Sequence, residues 1–263
     1  MSYYFQGDHG ALVTDCEQSV PANADLQHVY SKFFDLHTAI HPRVRNHNLD
    51  LHPRWQKSSL ISRESAACLG QSSTLVLTYF RSREQAELVE RKMGKEAGAQ
   101  TGDVDTYRHP VIEVRLTPDH FAIELILSPY AWLDQQNLIG KLGLPNHRAA
   151  FRSLLRSIPG DYRFGFWNGL ELGDMHLLVS ELLRGRILDE WMDTFADGQD
   201  WLRVGKWYAP EDPALDASNI LSEVFDTIKS LHSLYTFVLW SSNNNFSDFY
   251  EKRQRQVVRR AYA

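Results

Sequence analysis

Apolar and polar positions along the chain follow two periods, one typical of helices and one typical of strands. Between residues 22 and 41 apolar side chains recur every three or four positions, which predicts an amphipathic helix ending at His41-Pro42. Residues 73–80 and 201–208 are rich in β-branched and aromatic side chains and predict strands. The longest helical pattern covers residues 215–240, with Val224 and Ile228 among the residues of one face. Residues 175–183 form a shorter helical pattern, and residues 168–169 (NG) predict a turn. Both element types therefore contribute to the fold.

The clearest local structure is a β-hairpin. Residues 111–116 and 120–127 each alternate, and residues 117–119 (TPD) between them predict a turn. A period of two puts Ile112, Val114 and Leu116 of the first strand on one face, opposite its two charged residues, Glu113 and Arg115. We therefore expect an antiparallel sheet with one face on the core and one face in solvent.

Strands and helices occur in separate runs, which predicts an α+β fold with a mainly antiparallel central sheet flanked by helices and a helical C-terminal half. Residues 22–172 form the sheet-containing part and residues 173–263 the mainly helical part. The strand at 201–208 needs a partner in the first part, which favours a single domain. Residues 1–10 are polar and resemble the end of a cleavable tag at YFQG, so we expect them to be disordered or tag-derived.

Composition restricts the classes of protein. Hydrophobic residues make up 43% of the chain, enough for a globular core, and the net charge of −5 gives no general attraction to nucleic acid or anionic lipid. The two cysteines, Cys16 and Cys68, form neither a disulfide scaffold nor a zinc ribbon. No window approaches the roughly 18 apolar residues of a membrane span, and the N-terminus has no secretory segment. These features predict a cytoplasmic protein without a membrane segment.

Two histidines have a spacing that suits a metal ion. His37 and His41 are four residues apart in a predicted helix, so both rings point from one face and predict a divalent metal site. Thr38 stands where the zincin motif has glutamate, and a histidine at a helix end also satisfies free carbonyl groups. The alternative is therefore that both histidines are structural and that the protein has no cofactor.

The hairpin carries the candidate catalytic residues Glu113, Arg115 and Glu124. An acidic residue two positions before a basic one occurs in nuclease strands, where the acid holds Mg²⁺ and a lysine activates water. Here the basic residue is arginine, which does not give up its proton and so stabilises charge without acting as a base. The alternative is that these side chains pair across the strands on a solvated face.

Candidate binding residues lie in two segments. Trp201, Arg203 and Trp207 share one face of a predicted strand, where they could stack a base or sugar, and Lys206 lies beside them. Core packing explains the tryptophans equally well. The C-terminal residues 246–262 predict a basic helix that suits nucleic acid or an acidic partner, or else a solvated helix end. Its candidate contacts are Arg253, Arg255, Arg259 and Arg260.

The sequence thus favours a binding or interaction protein without catalysis of its own, which engages nucleic acid or a protein through the aromatic strand face or the basic C-terminal helix. The alternative is a metal-dependent hydrolase that acts on phosphodiesters. Self-association into a homo-oligomer is a third interpretation. Carboxylates and histidines that converge in one cleft would favour the enzyme, and scattered ones would favour binding.

Overall fold

A computed structural model describes residues 6–14, 24–54, 60–67, 73–94, 104–166 and 176–246. The predicted basic helix beyond residue 246, with its four candidate arginines, lies outside these ranges. The turn predicted at residues 168–169 lies outside them as well.

Eight strands in the described part of the chain form one sheet, in which all neighbours are antiparallel. They are β1 (His52–Pro53), β2 (Ile61–Ser62), β3 (Leu75–Phe80), β4 (Val111–Leu116), β5 (Phe121–Leu127), β6 (Arg163–Gly165), β7 (His176–Leu178) and β8 (Leu202–Tyr208). Their order is β1-β3-β4-β5-β8-β6-β7, and β2 also pairs with β3. The β4–β5 hairpin is confirmed, and the strand predicted at 201–208 pairs with β5 on one side and with β6 on the other.

Helices surround this sheet and dominate the chain after β5, which confirms the α+β class. The helices in the described ranges are α1 (Gln6–Thr14), α2 (Ala24–Asn46), α3 (Arg83–Lys92), α4 (Trp132–Leu142), α5 (Pro145–Ser157), α6 (Val179–Leu182), α7 (Ile187–Thr194) and α8 (Ile220–Val238). None of those helices is long and apolar enough to cross a bilayer.

The first face of the sheet holds the main core. Helix α8 contacts β4, β5, β8 and α2, because its apolar residues recur along one side. Val224 and Ile228 of α8 are fully buried in the same cluster as Ile112, Val114 and Leu125 of the hairpin. Burial of each such side chain contributes about 1.5–3 kcal/mol, so this layer fixes the register of the hairpin.

The second face of the sheet is covered as well, and the expected solvated face is wrong. Phe80, Val111, Ile126 and Trp201 pack there with small residues of the 66–67 segment and of α3. The charged residues of the same face, Glu113, Arg115, Glu124 and Arg203, are 0–1% exposed. Charged side chains are buried when they pair with one another, which is what these four do.

Helix α2 does not end at His41-Pro42 as predicted. It continues through Pro42 to Asn46, although proline supplies no hydrogen-bond donor at that position. Ile40 and Val44 on either side of Pro42 are fully buried. The packing of these two residues against the core holds the helix together across the missing bond.

Two further segments differ from the predictions. The helix expected at 175–183 begins only at Val179, because residues 176–178 pair with β6 as a strand. Residues 6–10, which were expected to be disordered or tag-derived, belong to α1. Asp8 of that helix is buried and forms an ion pair of 2.7 Å with Lys32 of α2.

Candidate functional site

Four ionic side chains meet on the second face of the sheet because strand alternation points them the same way. Glu113 and Glu124 are direct cross-strand partners, and Arg115 follows two positions after Glu113. Arg203 of β8 lies two residues before Gly205, the cross-strand partner of Glu124, and therefore points to the same face. We refer to Glu113, Arg115, Glu124 and Arg203 as the ion cluster.

Glu124 is the centre of the ion cluster. One of its oxygens, Oε2, accepts hydrogen bonds from Arg115 Nη2 at 2.5 Å and from Arg203 Nη2 at 2.7 Å. Burial alone would raise the pKa of the Glu124 carboxyl, but the positive charges of Arg203 and Arg115 outweigh burial and hold the pKa well below its usual range. Glu124 is therefore a carboxylate at neutral pH and bridges two buried arginines.

Glu113 is held mainly by neutral donors. Its Oε2 accepts from the Ser65 hydroxyl at 2.6 Å and from Arg115 Nη1 at 3.3 Å, and its Oε1 accepts from the Ala66 amide at 2.6 Å. Burial raises the pKa of Glu113 despite the nearby Arg115 charge. Environments that separate two carboxyl pKa values are typical of acid–base pairs. Here, however, both Glu113 oxygens already accept hydrogen bonds from the protein.

The aromatic strand face is occupied by intramolecular contacts. The indole of Trp207 stacks on His120, with ring centroids 4.4 Å apart and planes 3° apart, and His176 lies 4.7 Å away. The guanidinium carbons of Arg203 and Arg115 lie 5.2 and 5.8 Å from its centroid. Burial lowers the pKa of His120 to about 3 and that of His176 to about 4, so both rings are neutral at pH 7. Trp207 therefore stacks on side chains of its own chain.

The other two candidates in this strand are also engaged. Trp201 is 7% exposed and belongs to the core of the second face. Lys206 points the opposite way and forms ion pairs with Glu223 at 2.9 Å and with Asp161 at 3.3 Å. Its ammonium group also lies 5.4 Å from the ring centroid of Tyr162.

The histidine pair of α2 is brought together but does not join the ion cluster. The rings of His37 and His41 are stacked with centroids 5.1 Å apart, and His37 Nδ1 lies 3.0 Å from the Tyr79 hydroxyl. Burial and the neighbouring His41 lower the pKa of His37 to about 4. Tyr79 belongs to the first-face core, so these histidines lie across the sheet from Glu113 and Glu124. Across the described ranges, no three His, Cys, Asp or Glu side chains are placed to hold a metal ion.

Sequence reasoning did not select the two histidines that adjoin the ion cluster. His120 has the same parity as Glu124 in the alternating segment, and that parity was a usable signal. His176 had no such signal, because its segment was predicted to be helical. Gly165 is its cross-strand partner, and a side chain at Gly165 would overlap the His176 ring.

Two clefts on the surface carry exposed cations. One has a volume of about 590 Å³ and lies between α5 and α7; we refer to it as the α5–α7 cleft. Its charged residues are Arg148, Arg152, Arg156, Arg186, Asp189 and Asp193. The other, the α2–α3 cleft, has a volume of about 760 Å³. Its polar lining is His41, Arg45, Asn48, Asp50, His52 and Arg83.

The fold and these sites define an α+β protein with a charge-paired, buried sheet face and two surface clefts rich in arginine. No protein-family model matches the chain. No curated protein has a significantly similar sequence.

Proposed function

We propose that the protein is a binding protein that takes an acidic protein segment into the α5–α7 cleft. The observation that carries the proposal is a row of three arginines along α5, Arg148, Arg152 and Arg156, facing a fourth at the start of α7, Arg186.

The spacing of the row suits a helical partner. Residues four apart lie on one side of a helix and are separated by about 6 Å along its axis. An acidic helix with carboxylates at the same interval would meet one arginine at each step. Guanidinium groups bind carboxylates through two parallel hydrogen bonds, which gives geometric specificity as well as energy.

Aspartates of α7 orient part of the row. Arg148 Nη2 donates to Asp193 Oδ1 at 2.6 Å, and Arg152 Nη2 donates to Asp189 Oδ1. All four side chains are partly exposed, and such pairs contribute about 0–1 kcal/mol, so a partner's carboxylates can replace them. Arg156 and Arg186 are exposed and form no ion pair within the described ranges.

The charge and the lining of the α5–α7 cleft favour a protein over a nucleic acid as the partner. Protein–DNA interfaces are strongly positive, whereas this cleft contains two aspartates and the whole chain has a net charge of −5. Ile187, next to Arg186, is 41% exposed. Arginine is among the residues enriched at protein interfaces. Hydrolysis of phosphodiesters has less support, because the oxygens of Glu113 and Glu124 are directed at arginines, a serine and an amide.

A peptide library tests the proposal. We would pan 12-residue peptides that carry Glu or Asp at every fourth position, with the rest randomised, against the wild type and against an Arg156→Gln/Arg186→Gln double variant. Loss of a charge-assisted hydrogen bond costs about 1.5–3 kcal/mol, so selected peptides should bind the double variant at least about tenfold more weakly. Arg184→Gln is the matched control, because Arg184 is exposed nearby but does not line the cleft.

Two outcomes would overturn the proposal. If the wild type enriches no acidic peptide over the double variant, the row of arginines is a solvated helix face. If the double variant instead loses binding to labelled single- or double-stranded DNA, while peptide binding is absent, the cleft serves nucleic acid and the class of partner proposed here is wrong.

A further inference from the structure

The α2–α3 cleft has the features of a pocket for a small ligand. Its volume of about 760 Å³ falls within the usual range for ligand sites. His41 and Arg45 project into it from consecutive turns of α2, His52 comes from β1, and Arg83 is the first residue of α3. Leu49, Leu51 and Pro53 add an apolar wall.

The charge of the α2–α3 cleft is positive. Arg45 and Arg83 are permanently charged, whereas Asp50 is the one carboxylate among the described residues that line the cleft. Asp50 pairs with His52 at 3.1 Å and also accepts from the side chain of Gln85 at 3.5 Å. The arginines therefore outnumber the carboxylate of the lining even when both histidines are neutral. Arg83 Nε also donates to Glu87 Oε1 of its own helix at 2.8 Å, but both side chains are exposed and such a pair contributes about 0–1 kcal/mol, so a bound anion can replace it.

The start of α3 contributes a partial positive charge, which Glu84 in its first turn partly offsets. Ser82 caps the helix by accepting from the Gln85 amide. The amides of Arg83 and Glu84, the first two residues of the helix, lie at its N-terminal end. Helix N-termini attract anions through these amides and the helix dipole.

From these features we propose that the α2–α3 cleft binds a small molecule that carries a phosphate monoester. Arg45 and Arg83 hold the phosphate, His41 and His52 contribute further hydrogen bonds, and the apolar wall contacts the rest of the ligand. A phosphate monoester offers three acceptor oxygens and nearly two negative charges, which suits two guanidinium forks better than a single carboxylate does.

Binding should be linked to the protonation of His41. Burial, Arg45 and His52 lower the pKa of His41, in that order. The groups that face it are His37 and Arg45 from α2, His52 and Asp50 from the β1 segment, and Arg83 from α3. A bound anion favours the imidazolium and raises this pKa, so by linkage the anion binds more tightly as the pH falls from 8 to 6.

Calorimetric titration with sulfate separates protein protonation from ligand protonation. Sulfate keeps two negative charges from pH 8 to pH 6, so tighter binding at pH 6 must come from the protein. Arg45→Gln should weaken sulfate and phosphate binding about tenfold or more. Arg43→Gln, an exposed arginine on the same helix outside the cleft, should leave both affinities unchanged. His41→Gln should reduce the difference between pH 6 and pH 8.

Phenyl phosphate and phenol test the class of ligand. Phenyl phosphate should bind more tightly than inorganic phosphate because its ring can contact the apolar wall, and phenol should not bind. The proposal is wrong if neither sulfate nor phosphate shows saturable binding at pH 6, or if Arg45→Gln and Arg43→Gln have equal effects. Equal affinity for phenyl phosphate and inorganic phosphate would overturn the monoester assignment. This site is separate from the α5–α7 cleft, so its result leaves the proposed function untouched.

Discussion

Glu124→Gln is the most informative perturbation of the buried sheet face. The substitution keeps the shape of the side chain but removes the negative charge that bridges Arg115 and Arg203. Both arginines are 0–1% exposed, so neither can turn to water without local unfolding. A glutamine oxygen can still accept hydrogen bonds from the arginines, but it carries no charge, so two buried positive charges then remain with only Glu113 to balance them.

The expected loss in the free energy of unfolding is about 3–5 kcal/mol, the usual consequence of removing one partner from a buried ion pair. Typical domains have a total stability of about 5–15 kcal/mol, so the variant should still fold but with a much lower urea midpoint. The folded-state pKa of Glu124 is depressed, so its contribution is complete above the unfolded value of about 4.3 and is lost as the pH falls below it. The difference between wild type and variant should therefore shrink in acid.

Glu113→Gln is the matched control. Glu113 is equally buried and lies on the neighbouring strand, but its raised pKa means that its charged form is less favoured. Glutamine can still accept from the Ser65 hydroxyl or the Ala66 amide, so we expect a smaller loss, about 1–2 kcal/mol. Urea unfolding at pH 7, followed by fluorescence, measures both variants. The reasoning fails if Glu113→Gln destabilises the protein as much as Glu124→Gln, or if Glu124→Gln changes stability by less than about 1 kcal/mol.

Three further predictions follow from the structure. Because the folded-state pKa of His120 is about 3, stability should fall by up to about 1.4 kcal/mol per pH unit below about 6.5, and urea unfolding of His120→Gln at pH 7, 6 and 5 should show a flatter dependence. Gly205→Ala should lower the melting temperature more than Gly165→Ala, because the new methyl group meets the backbone of Ile123 in the first case and the movable ring of His176 in the second. A smaller loss for Gly205→Ala in a thermal melt would contradict this steric argument. Any nucleic-acid binding by the C-terminal basic run should weaken steeply with salt, and fluorescence anisotropy should show a flatter salt dependence, at unchanged thermal stability, once four arginines are replaced by glutamine. An unchanged slope would mean that other residues contact the nucleic acid. The four substituted residues are Arg253, Arg255, Arg259 and Arg260.

Local patterns predicted the first face of the sheet well. The alternation in residues 111–116 and 120–127 was sufficient to define the β4–β5 hairpin and the side of β4 that packs on the main core. The recurrence of Val224 and Ile228 likewise identified the buried side of α8. These predictions succeed because pairing and packing there follow from residues close in sequence.

The second face could not be predicted from alternation alone. A charged residue at every second position has the same pattern whether it is hydrated or paired inside the protein. The difference here depends on Ser65 and Ala66, some 47 residues before Glu113, and on Arg203, 79 residues after Glu124. Pro42 and the strand at 176–178 were missed for a related reason, since contacts with distant elements outweigh local preference there.

Contacts between residues far apart in sequence also change which charged side chains are candidates for function. Sequence alone drew attention to Arg115 because it follows Glu113 at the spacing of nuclease strands, and to Arg203 because it shares a strand face with two tryptophans. In the structure both arginines are buried and paired with Glu124. Arg156 and Arg45 were not selected, because an arginine on the outer side of a helix has no distinguishing pattern. What distinguishes them is that each is exposed and lines a cleft with other cations. In this protein, therefore, the ionic residues that strand alternation makes conspicuous pair with one another inside the sheet, and the arginines that line the surface clefts lie on helices or at their ends.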